Sequence, residues 1–352
     1  MKKHNFSAGP CILPQSVLKK ASDAILNFNG LNLSLIEISH RSKDFVDVME
    51  KARALVLELL NLEKKGYSVL FLQGGASLEF LMIPYNLLKL GGKADYLDTG
   101  TWSSKAIKEV KNLGEVNIVA SSKDKDYSYI PKGYTIDSNA DYFHCTSNNT
   151  IRGTQMKEFP KTDIPMVCDM SSDIFSRELD FSQFDLIYAG AQKNMGPAGT
   201  TLVVVKTDLL GKTGRNIPSM LDYQIHVDKD SMFNTPSVFA VYVSMLTLQW
   251  LKDLGGIKVI EKINKAKAEL LYNEIDANPL FKGTAVKEDR SYMNVTFLLT
   301  DDSKTDAFEK MLEENGINGL KGHRSVGGYR ASMYNALPLE SVEVLVNIMK
   351  SI

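Results

Sequence analysis

One lysine, Lys193, stands among small residues between two apolar runs. The runs cover 185–188 and 201–205, and their length and β-branched content favour buried strands. The segment between them is rich in Gly, Ala and Pro, which allow a backbone to approach a ligand closely. An ammonium group there would lose part of its hydration, which lowers the pKa of a lysine and frees the amine to attack a carbonyl carbon. Lys193 is therefore a candidate Schiff-base lysine, and a solvated lysine in a tight loop is the alternative.

A second candidate site is the glycine turn at 73–77. It follows an apolar strand predicted over 69–72 and precedes a helix predicted over 78–88. The free N–H groups and the positive end of a helix dipole favour an anion such as phosphate at this kind of junction. Another helix start, with Thr235 as the N-cap and Pro236 at the first helical position, has no acidic residue in its first turn and offers a second place for an anion.

Two further candidate side chains stand where predicted strands end. Asp169 ends the strand at 165–169, and the carboxyl ends of parallel strands form the binding edge of such a sheet. Asp173 is the competing acid, but Asp169 follows the strand directly. Trp102 comes after a strand at 94–98, where its ring can stack on a planar cofactor or pack as an ordinary core residue.

The elements that must position these residues alternate between strands and helices from about residue 67 to 205. This alternation predicts an α/β fold with a mostly parallel, seven-stranded sheet covered on both faces. The mixed pattern after residue 256 predicts a small C-terminal α+β domain. We expect an N-terminal arm over 1–15, a large domain over 16–255 and a small domain over 256–352.

The segment 188–199, with the sequence Tyr-Ala-Gly-Ala-Gln-Lys-Asn-Met-Gly-Pro-Ala-Gly, resembles the cofactor-lysine segment of phosphoserine aminotransferases. Further matching segments lie at 5–10, 39–42, 233–236 and 322–330, so the resemblance covers essentially all 352 residues. It implies the type I fold of PLP-dependent transferases, which is the aspartate-aminotransferase fold of the class V family. It also implies a homodimer with shared active sites.

The resemblance implies that the cofactor is pyridoxal 5′-phosphate (PLP). Lys193 would form the Schiff base and act as general base and acid, Asp169 would pair with the pyridinium nitrogen, and Trp102 would stack on the ring. The remaining implied contacts are the backbone amides of Ala76 and Ser77 to the phosphate with Gln192 beside them, Thr150 to the ring hydroxyl, and Asn234 and Thr235 to the phosphate from the neighbouring subunit.

The implied reaction is reversible transfer of the amino group of L-glutamate to 3-phosphohydroxypyruvate, which gives O-phospho-L-serine and 2-oxoglutarate in serine biosynthesis. Bacterial members also use 4-phosphohydroxy-L-threonine in pyridoxine biosynthesis. The resemblance assigns substrate binding to Arg330, for the carboxylate, and to the pairs His40–Arg41 and His323–Arg324, for the phosphate. Some family members have a third Gly and a basic residue where this chain has Ala76 and Ser77, so that charge is absent here.

The bulk composition excludes several other classes of protein. The net charge of −1 gives no indication of a nucleic-acid partner or a membrane surface. The three cysteines are far apart and form no CxxC pair, so neither a metal site nor a disulfide framework is expected. The first six residues carry two lysines but no apolar stretch, which is not the pattern of a signal peptide, and we expect a cytoplasmic protein.

Three alternatives remain on sequence grounds. The nearest is another PLP enzyme of the same fold, such as an alanine–glyoxylate aminotransferase, although such an enzyme would not need two His-Arg pairs. A cysteine desulfurase would need a late nucleophilic cysteine, and no cysteine follows Cys168. A homologue without enzymatic activity would be expected to lack Lys193 or Asp169, and this chain has both.

Overall fold

The fold is known from a computed structural model, which describes residues 3–352. Helices make up the outer layers of this part of the chain: α1 Gln15–Leu26, α2 Lys43–Leu59, α3 Gly75–Leu87, α4 Thr101–Val110, α5 Tyr223–Asp228, α6 Val238–Asp253, α7 Ile257–Ala277, α8 Thr305–Glu314 and α9 Leu339–Ser351. Strands form the sheets between them: β1 His4–Asn5, β2 Tyr67–Leu72, β3 Lys93–Asp98, β4 Glu115–Ser121, β5 Tyr142–Thr146, β6 Asn148–Asn149, β7 Thr154–Gln155, β8 Met166–Asp169, β9 Leu186–Gly190, β10 Thr201–Lys206, β11 Phe281–Gly283, β12 Asn294–Leu299, β13 Ile317–Asn318 and β14 Tyr329–Ser332.

The main sheet has seven strands in the order β2-β10-β9-β8-β5-β3-β4. Strands β9, β8, β5, β3 and β4 pair in parallel, whereas β10 is antiparallel to both of its neighbours. The predicted α/β fold with a mostly parallel, seven-stranded sheet is confirmed. Because the parallel strands all end at one edge, their last residues and the turns after them meet there.

Both faces of the main sheet are buried, as the near-continuous apolar strands require. On one face the core contains Val17 of α1, Phe45 of α2 and Val241 of α6. On the other face it contains Phe80 of α3 and Ile107 of α4. The helices therefore exclude water from the sheet and leave its carboxyl edge as the accessible place for chemistry.

A separate core lies in the C-terminal part of the chain, around the antiparallel sheet β11-β12-β14. Residues of α7, α8 and α9 pack on it, and among them are Leu271, Phe308 and Leu345. This separation supports the expected boundaries at 15/16 and 255/256, which we keep as a proposal. The first two residues of the expected arm lie outside the described part of the chain.

The N-terminal arm belongs physically to this second core. Strand β1 pairs in parallel with β13, with His4 opposite Ile317, and Phe6 is fully buried among the C-terminal apolar side chains. The arm then turns toward the main sheet. A Cβ atom on Gly9 would lie 3.4 Å from Cγ of Lys193, so the arm passes directly over the candidate lysine.

Two helix starts differ from the sequence prediction. Helix α3 begins at Gly75, three residues before the expected start, because Gly74 (φ 97°) and Gly75 (φ 66°) turn the chain directly from strand to helix. Helix α6 begins at Val238 with Ser237 as the N-cap, so the assignment of Thr235 and Pro236 to the helix start was wrong. The backbone carbonyl of Thr235 accepts a hydrogen bond from Gln73 Nε2 at 3.2 Å, which holds this segment against the glycine turn instead.

Among residues 3–352, no helix is both long enough and apolar enough to cross a membrane.

Candidate active site

A cavity of about 130 Å³ opens at the carboxyl edge of the main sheet. It lies where β5, β8 and β9 end and where α3 and α4 begin. Most of the residues expected to bind the cofactor are brought together in its wall. The lining residues are Gly75, Ala76, Ser77, Trp102, Thr146, Asn148, Thr150, Asp169, Ser171, Ser172, Gln192 and Lys193.

Lys193 follows β9 in a turn with its own backbone hydrogen bonds. The amide of Ala191 donates to the carbonyl of Thr200 at 3.1 Å, and the amide of Gly196 donates to the carbonyl of Ala191 at 2.8 Å. Nζ of Lys193 donates to Oγ1 of Thr150 at 2.7 Å. Burial lowers the pKa of Lys193 to about 8, although the nearby carboxylate of Asp169 opposes this shift. A substantial fraction of this amine is therefore neutral and nucleophilic near neutral pH.

Asp169 ends β8 and is almost fully buried in the cavity wall. One of its carboxylate oxygens accepts a hydrogen bond from the amide of Ser171 at 2.9 Å. Burial raises the pKa of Asp169, while the Ser171 bonds and the charge of Lys193 oppose the rise. The carboxylate is thus positioned to pair with a protonated ring nitrogen.

Asp173 is excluded as the equivalent acid because its carboxylate is already engaged. Arg177 forms a buried ion pair with it at 2.9 Å, Gln155 Nε2 donates to it at 3.2 Å, and the hydroxyl of Ser147 donates to its other oxygen. Asp173 does not line the cavity. Asp169 is therefore the acid that faces the cavity, whereas Asp173 is bound within the protein.

The start of α3 forms the anion end of the cavity. Its N-cap, Gly74, has no side chain to accept from the first-turn amides, and the first turn contains no acidic residue. Ala76 and Ser77 line the cavity, and their amides belong to that uncapped turn. An uncapped helix start with this dipole is suited to a phosphate.

Trp102 is the second residue of α4 and forms another wall. Ser103 fixes the start of this helix, because its hydroxyl accepts from the amides of Thr99 and Gly100, each at 3.0 Å. The indole Nε1 of Trp102 is buried and has no hydrogen-bond partner. The hydroxyl of Thr146, also in the cavity wall, has none either.

These features fit PLP closely in their chemistry. The wall provides an amine, a buried carboxylate, an aromatic face, hydroxyl groups and an uncapped helix start, and two of its polar atoms lack partners inside the protein. Buried polar atoms without partners are uncommon in proteins, and a ligand that bonds to them accounts for their presence.

The substrate residues divide into two groups. Arg330 lies in β14, is half-buried, and has a buried Nε without a partner. Its charge contributes to lowering the pKa of Lys193, so it lies near the cavity. His323 and Arg324 occupy a turn close to Arg330, whose charge also lowers the pKa of His323. Arg330 and the second His-Arg pair are therefore close to one another at this end of the molecule.

His40, Arg41, Asn234 and Thr235 form the second group, and none of them lines the cavity. His40 and Arg41 lie in the turn before α2, where Arg41 is exposed. Asn234 donates from Nδ2 to Oε1 of Gln73 at 3.0 Å, next to the glycine turn. Within a single protomer these residues do not meet Lys193.

Some lining residues were not expected from the sequence. Thr146 is the last residue of β5, and Ser171 and Ser172 follow the end of β8. The ends of these strands at the carboxyl edge were the signal that could have identified them. Asn148 connects the cavity to the C-terminal part, because its Nδ2 donates to Oδ1 of Asn294 at 2.8 Å. Among residues 3–352, no cluster of three or more His, Cys, Asp or Glu side chains can hold a metal ion.

This fold agrees with the known proteins that the chain resembles. Residues 3–345 match the class-V aminotransferase family, and the chain is therefore a class-V aminotransferase. Within that class it belongs to the phosphoserine aminotransferases: it is 72% identical over 352 residues to the phosphoserine aminotransferase of Flavobacterium psychrophilum, an alignment covering 100% of this chain and 99% of that one.

Solved structures give the same result. The phosphoserine aminotransferase of Bacillus circulans subsp. alkalophilus has a TM-score of 0.96 and 44% identity, over 99% of this chain and 98% of that one. The PLP-bound phosphoserine aminotransferase of Trichomonas vaginalis has a TM-score of 0.94 and 36% identity, over 99% of this chain and all of that one. An alanine–glyoxylate aminotransferase from Nostoc sp. has a TM-score of 0.75 at 14% identity, over 100% of this chain and 96% of that one, which shows the shared fold alone.

Proposed function

We propose that the chain catalyses reversible transfer of the amino group of L-glutamate to 3-phosphohydroxypyruvate, which gives O-phospho-L-serine and 2-oxoglutarate. The observation that supports this most is the meeting of Lys193, Asp169 and the uncapped start of α3 in one cavity. It occurs in a chain with 72% identity to a phosphoserine aminotransferase over its full length. Phosphoserine aminotransferase activity is therefore preferred to alanine–glyoxylate aminotransferase activity.

The cofactor is pyridoxal 5′-phosphate, which when bound supplies a ring that withdraws electrons from the substrate's α-carbon. We assign its phosphate to the amides of Ala76 and Ser77, with Gln192 beside them. Asp169 would hold a proton on the ring nitrogen. Thr150 would bond the ring hydroxyl, and Trp102 would cover a ring face.

Lys193 performs the proton transfers. Its pKa of about 8 leaves the amine partly neutral, so Nζ would accept a proton from the α-carbon of the amino-acid substrate and, in the second half-reaction, return a proton to the α-carbon of the amino-acid product. Thr150 orients Nζ through the 2.7 Å hydrogen bond. Exclusion of water by the buried wall keeps the proton between the lysine and the substrate.

Substrate recognition is assigned to five basic residues. Arg330 binds the carboxylate, because a half-buried guanidinium with an unpartnered Nε provides planar, paired donors for an oxyanion. His323 and Arg324 bind the phosphate from the adjacent turn. His40 and Arg41 complete the phosphate site from a second copy of the chain.

The positions of His40, Arg41, Asn234 and Thr235 support a homodimer with shared active sites. His40, Arg41, Asn234 and Thr235 do not line the cavity of their own protomer. Apolar side chains in the chain segment that precedes His40 and Arg41 are exposed, with Leu26 79% and Ile36 62% accessible. A second copy that covers this surface would bury the apolar residues and bring the basic pair to the neighbouring cavity.

Mixing two inactive variants tests the shared site. Lys193→Ala and Arg41→Gln dimers would be unfolded together, refolded together and assayed. If Arg41 acts across the interface, half of the dimers are mixed and each has one intact site, so about a quarter of wild-type activity returns. If Arg41 acts within its own protomer, no mixed dimer has an intact site and activity stays at background.

Cytoplasmic localisation is proposed from the cysteines. All three are free, and Sγ of Cys145 lies 3.8 Å from Sγ of Cys168 without a disulfide. Two buried thiols at this separation favour a reducing compartment. The use of 4-phosphohydroxy-L-threonine in pyridoxine biosynthesis stays a prediction.

The direct test of function is a half-reaction followed by the absorbance of the bound cofactor. Holoenzyme would be mixed separately with O-phospho-L-serine, L-serine and L-alanine. We expect rapid conversion of the cofactor to its amine form with O-phospho-L-serine and slow conversion with the other two. Equal rates with all three amino acids would contradict the proposed substrate.

A further inference from the structure

Two basic residues outside the expected set follow residues of the cavity wall closely in the sequence. These are Lys105 on α4 and Arg152 on the loop after β6. Their charges, together with those of Arg330 and Arg324, lower the pKa of His323, although burial is the largest cause of that shift. Four cations therefore lie within electrostatic range of one histidine.

None of these four cations has an acidic partner in the part of the chain that the structure describes, because no ion pair there includes Lys105, Arg152, Arg324 or Arg330. Like charges that converge without a counterion destabilise the folded chain. A ligand with several negative charges removes this cost.

Lys105 is positioned by the cavity wall itself. It is three residues after Trp102, and its Nζ lies 4.5 Å from the centroid of the Trp102 ring. The side chain is exposed, so its charge stands at the rim of the cavity and not inside it. A ligand group that extends out of the cavity past Trp102 would meet this ammonium.

Arg152 belongs to a different segment of the chain. It follows Thr150 by two residues, and its carbonyl accepts from Oγ1 of Thr296 at 3.0 Å, which fixes the loop. Its guanidinium carbon lies 5.8 Å from the ring centroid of Tyr127, and its Nε is buried without a hydrogen-bond partner.

Arg152 also lines a cavity of about 310 Å³ together with Val326. The amide of Val326 donates to the carbonyl of His323 at 2.8 Å, so this cavity adjoins the turn that holds His323 and Arg324. The other charged residues in its wall are Lys125, Lys282 and Asp126, of which two are basic. Arg152 thus lies between the cofactor loop and the His323 turn.

We infer that Lys105 and Arg152 are specificity residues that bind the phosphate group of the substrate and make the site prefer a phosphorylated amino acid. This inference rests on the proposed function and adds two residues to it. A phosphate dianion has the charge and the number of acceptor oxygens to contact a guanidinium and an ammonium at the same time. A substrate with a single carboxylate leaves both cations without a partner.

The test uses holoenzyme in single-turnover half-reactions with O-phospho-L-serine at increasing concentration. Arg152→Gln and Lys105→Gln should each raise the concentration that gives half the maximum rate by about tenfold or more, because each removes a charge-assisted contact. The maximum rate should change by less than about twofold, since neither residue is placed at the reacting atoms. Arg152→Lys should give an intermediate effect.

L-Alanine, which has no phosphate, provides the comparison in the same assay, and both variants should react with it as the wild type does. Lys108→Gln is the matched control, because it removes the same charge from an exposed position on the same helix. An unchanged half-saturation for O-phospho-L-serine in both variants would overturn the inference. An equal rise in the half-saturating concentration of L-alanine would overturn the inference too, because the residues would then act on the cofactor or on the fold.

A second readout does not depend on turnover. The pKa of His323, followed by NMR and assigned through its absence in His323→Gln, should rise in Arg152→Gln and Lys105→Gln because a repelling charge is removed. No rise in either variant would contradict the placement of these cations. If the wild type does not react with O-phospho-L-serine, the proposed function fails. If the wild type reacts and the variants have the same half-saturating concentration as the wild type, only this inference fails.

Discussion

Nζ of Lys193 donates a hydrogen bond to Oγ1 of Thr150 across 2.7 Å, and this contact joins the turn after β9 to the loop after β6. Thr150 therefore holds the amine in the cavity at the point where a cofactor carbonyl must arrive. Replacement of Lys193 by Ala should abolish covalent attachment of PLP and lower the transamination rate by about 10²–10⁴-fold or more. Borohydride reduction followed by peptide mass mapping checks this.

Lys157 gives a demanding control for that experiment. Its pKa is also lowered by burial, to about 7, but it lies outside the Lys193 cavity and donates to Gln155 Oε1 at 2.8 Å and to the carbonyl of Arg290 at 2.7 Å. We expect the reduced adduct on Lys193 and not on Lys157. A stoichiometric adduct on Lys157 would mean that a low pKa, and not the cavity, selects the lysine.

The pH dependence of cofactor attachment should follow the lowered pKa of Lys193. The neutral amine predominates above the folded-state pKa, so the rate at which apoprotein captures PLP should rise through about pH 8 and then level off. An ordinary lysine would continue to gain reactivity up to about pH 10.4. Stopped-flow absorbance across this range measures the midpoint.

Asp169→Asn should move that midpoint to lower pH. Burial lowers the pKa of Lys193 and the carboxylate of Asp169 raises it, so removal of this charge should lower the pKa of Lys193 further. A midpoint that stays in place, or that moves to higher pH, would contradict the electrostatic contact between the two residues.

Asp169 and Asp173 should separate catalysis from stability. Asp169→Asn should retain the fold but lower the maximum transamination rate by about a hundredfold or more, because an amide cannot hold the ring nitrogen protonated. Asp173→Asn should lower the free energy of unfolding by about 3–5 kcal/mol, because it leaves the buried charge of Arg177 without its partner. Urea denaturation of the apoproteins and half-reaction rates of the holoenzymes provide the two measurements. If Asp173→Asn were folded but inactive and Asp169→Asn were unstable, catalysis would belong to Asp173 and stability to Asp169.

Gly9→Ala should weaken cofactor binding as well as stability. Gly9 has φ 137°, which strains any residue with a side chain, and its new Cβ would be in van der Waals contact with Cγ of Lys193 at 3.4 Å and Cγ of Gln192 at 3.5 Å, so a shift of the arm that relieves the strain would disturb Lys193. Gly30→Ala is the matched control, because Gly30 also has positive φ (77°) but an added Cβ meets nothing within 4 Å. Both variants should lose about 1–2 kcal/mol of stability, and only Gly9→Ala should raise the dissociation constant of PLP. Equal dissociation constants in the two variants would show that the arm does not constrain Lys193.

Much of the fold could be predicted because the strands are short, apolar and separated by clear turns. The run at 201–205 and the glycine turn at 73–77 show this: both lie where the pattern indicates, within one to three residues. The antiparallel direction of β10 did not follow from that pattern, because a buried strand has the same apolar sequence in either direction. The start of α6 was missed because Thr235 is held by Gln73, a residue far away in the sequence.

The meeting of Lys193 and Asp169 in one cavity was predictable, because each stands at or directly after the end of a strand in the main sheet. The site was not predictable where several distant segments meet. Asn148 shows the reason: its Nδ2 donates to Asn294, whose own Nδ2 donates to the hydroxyl of Ser332 at 3.1 Å. Nothing in the local sequence of the 148–150 loop indicates a partner about 146 residues later, because such contacts depend on the tertiary fold. Arg152 was missed for the same reason.

The pairing of β1 with β13 has a consequence for how the enzyme is made. Asn5 and Asn318 are joined by this pairing although they are 313 residues apart, so the arm has no partner strand until the ribosome has completed most of the chain. Gly9, on the same arm, packs over Lys193. The cofactor pocket is therefore finished at the end of synthesis, and a nascent chain stalled before β13 would have its main sheet but a lysine still open to water.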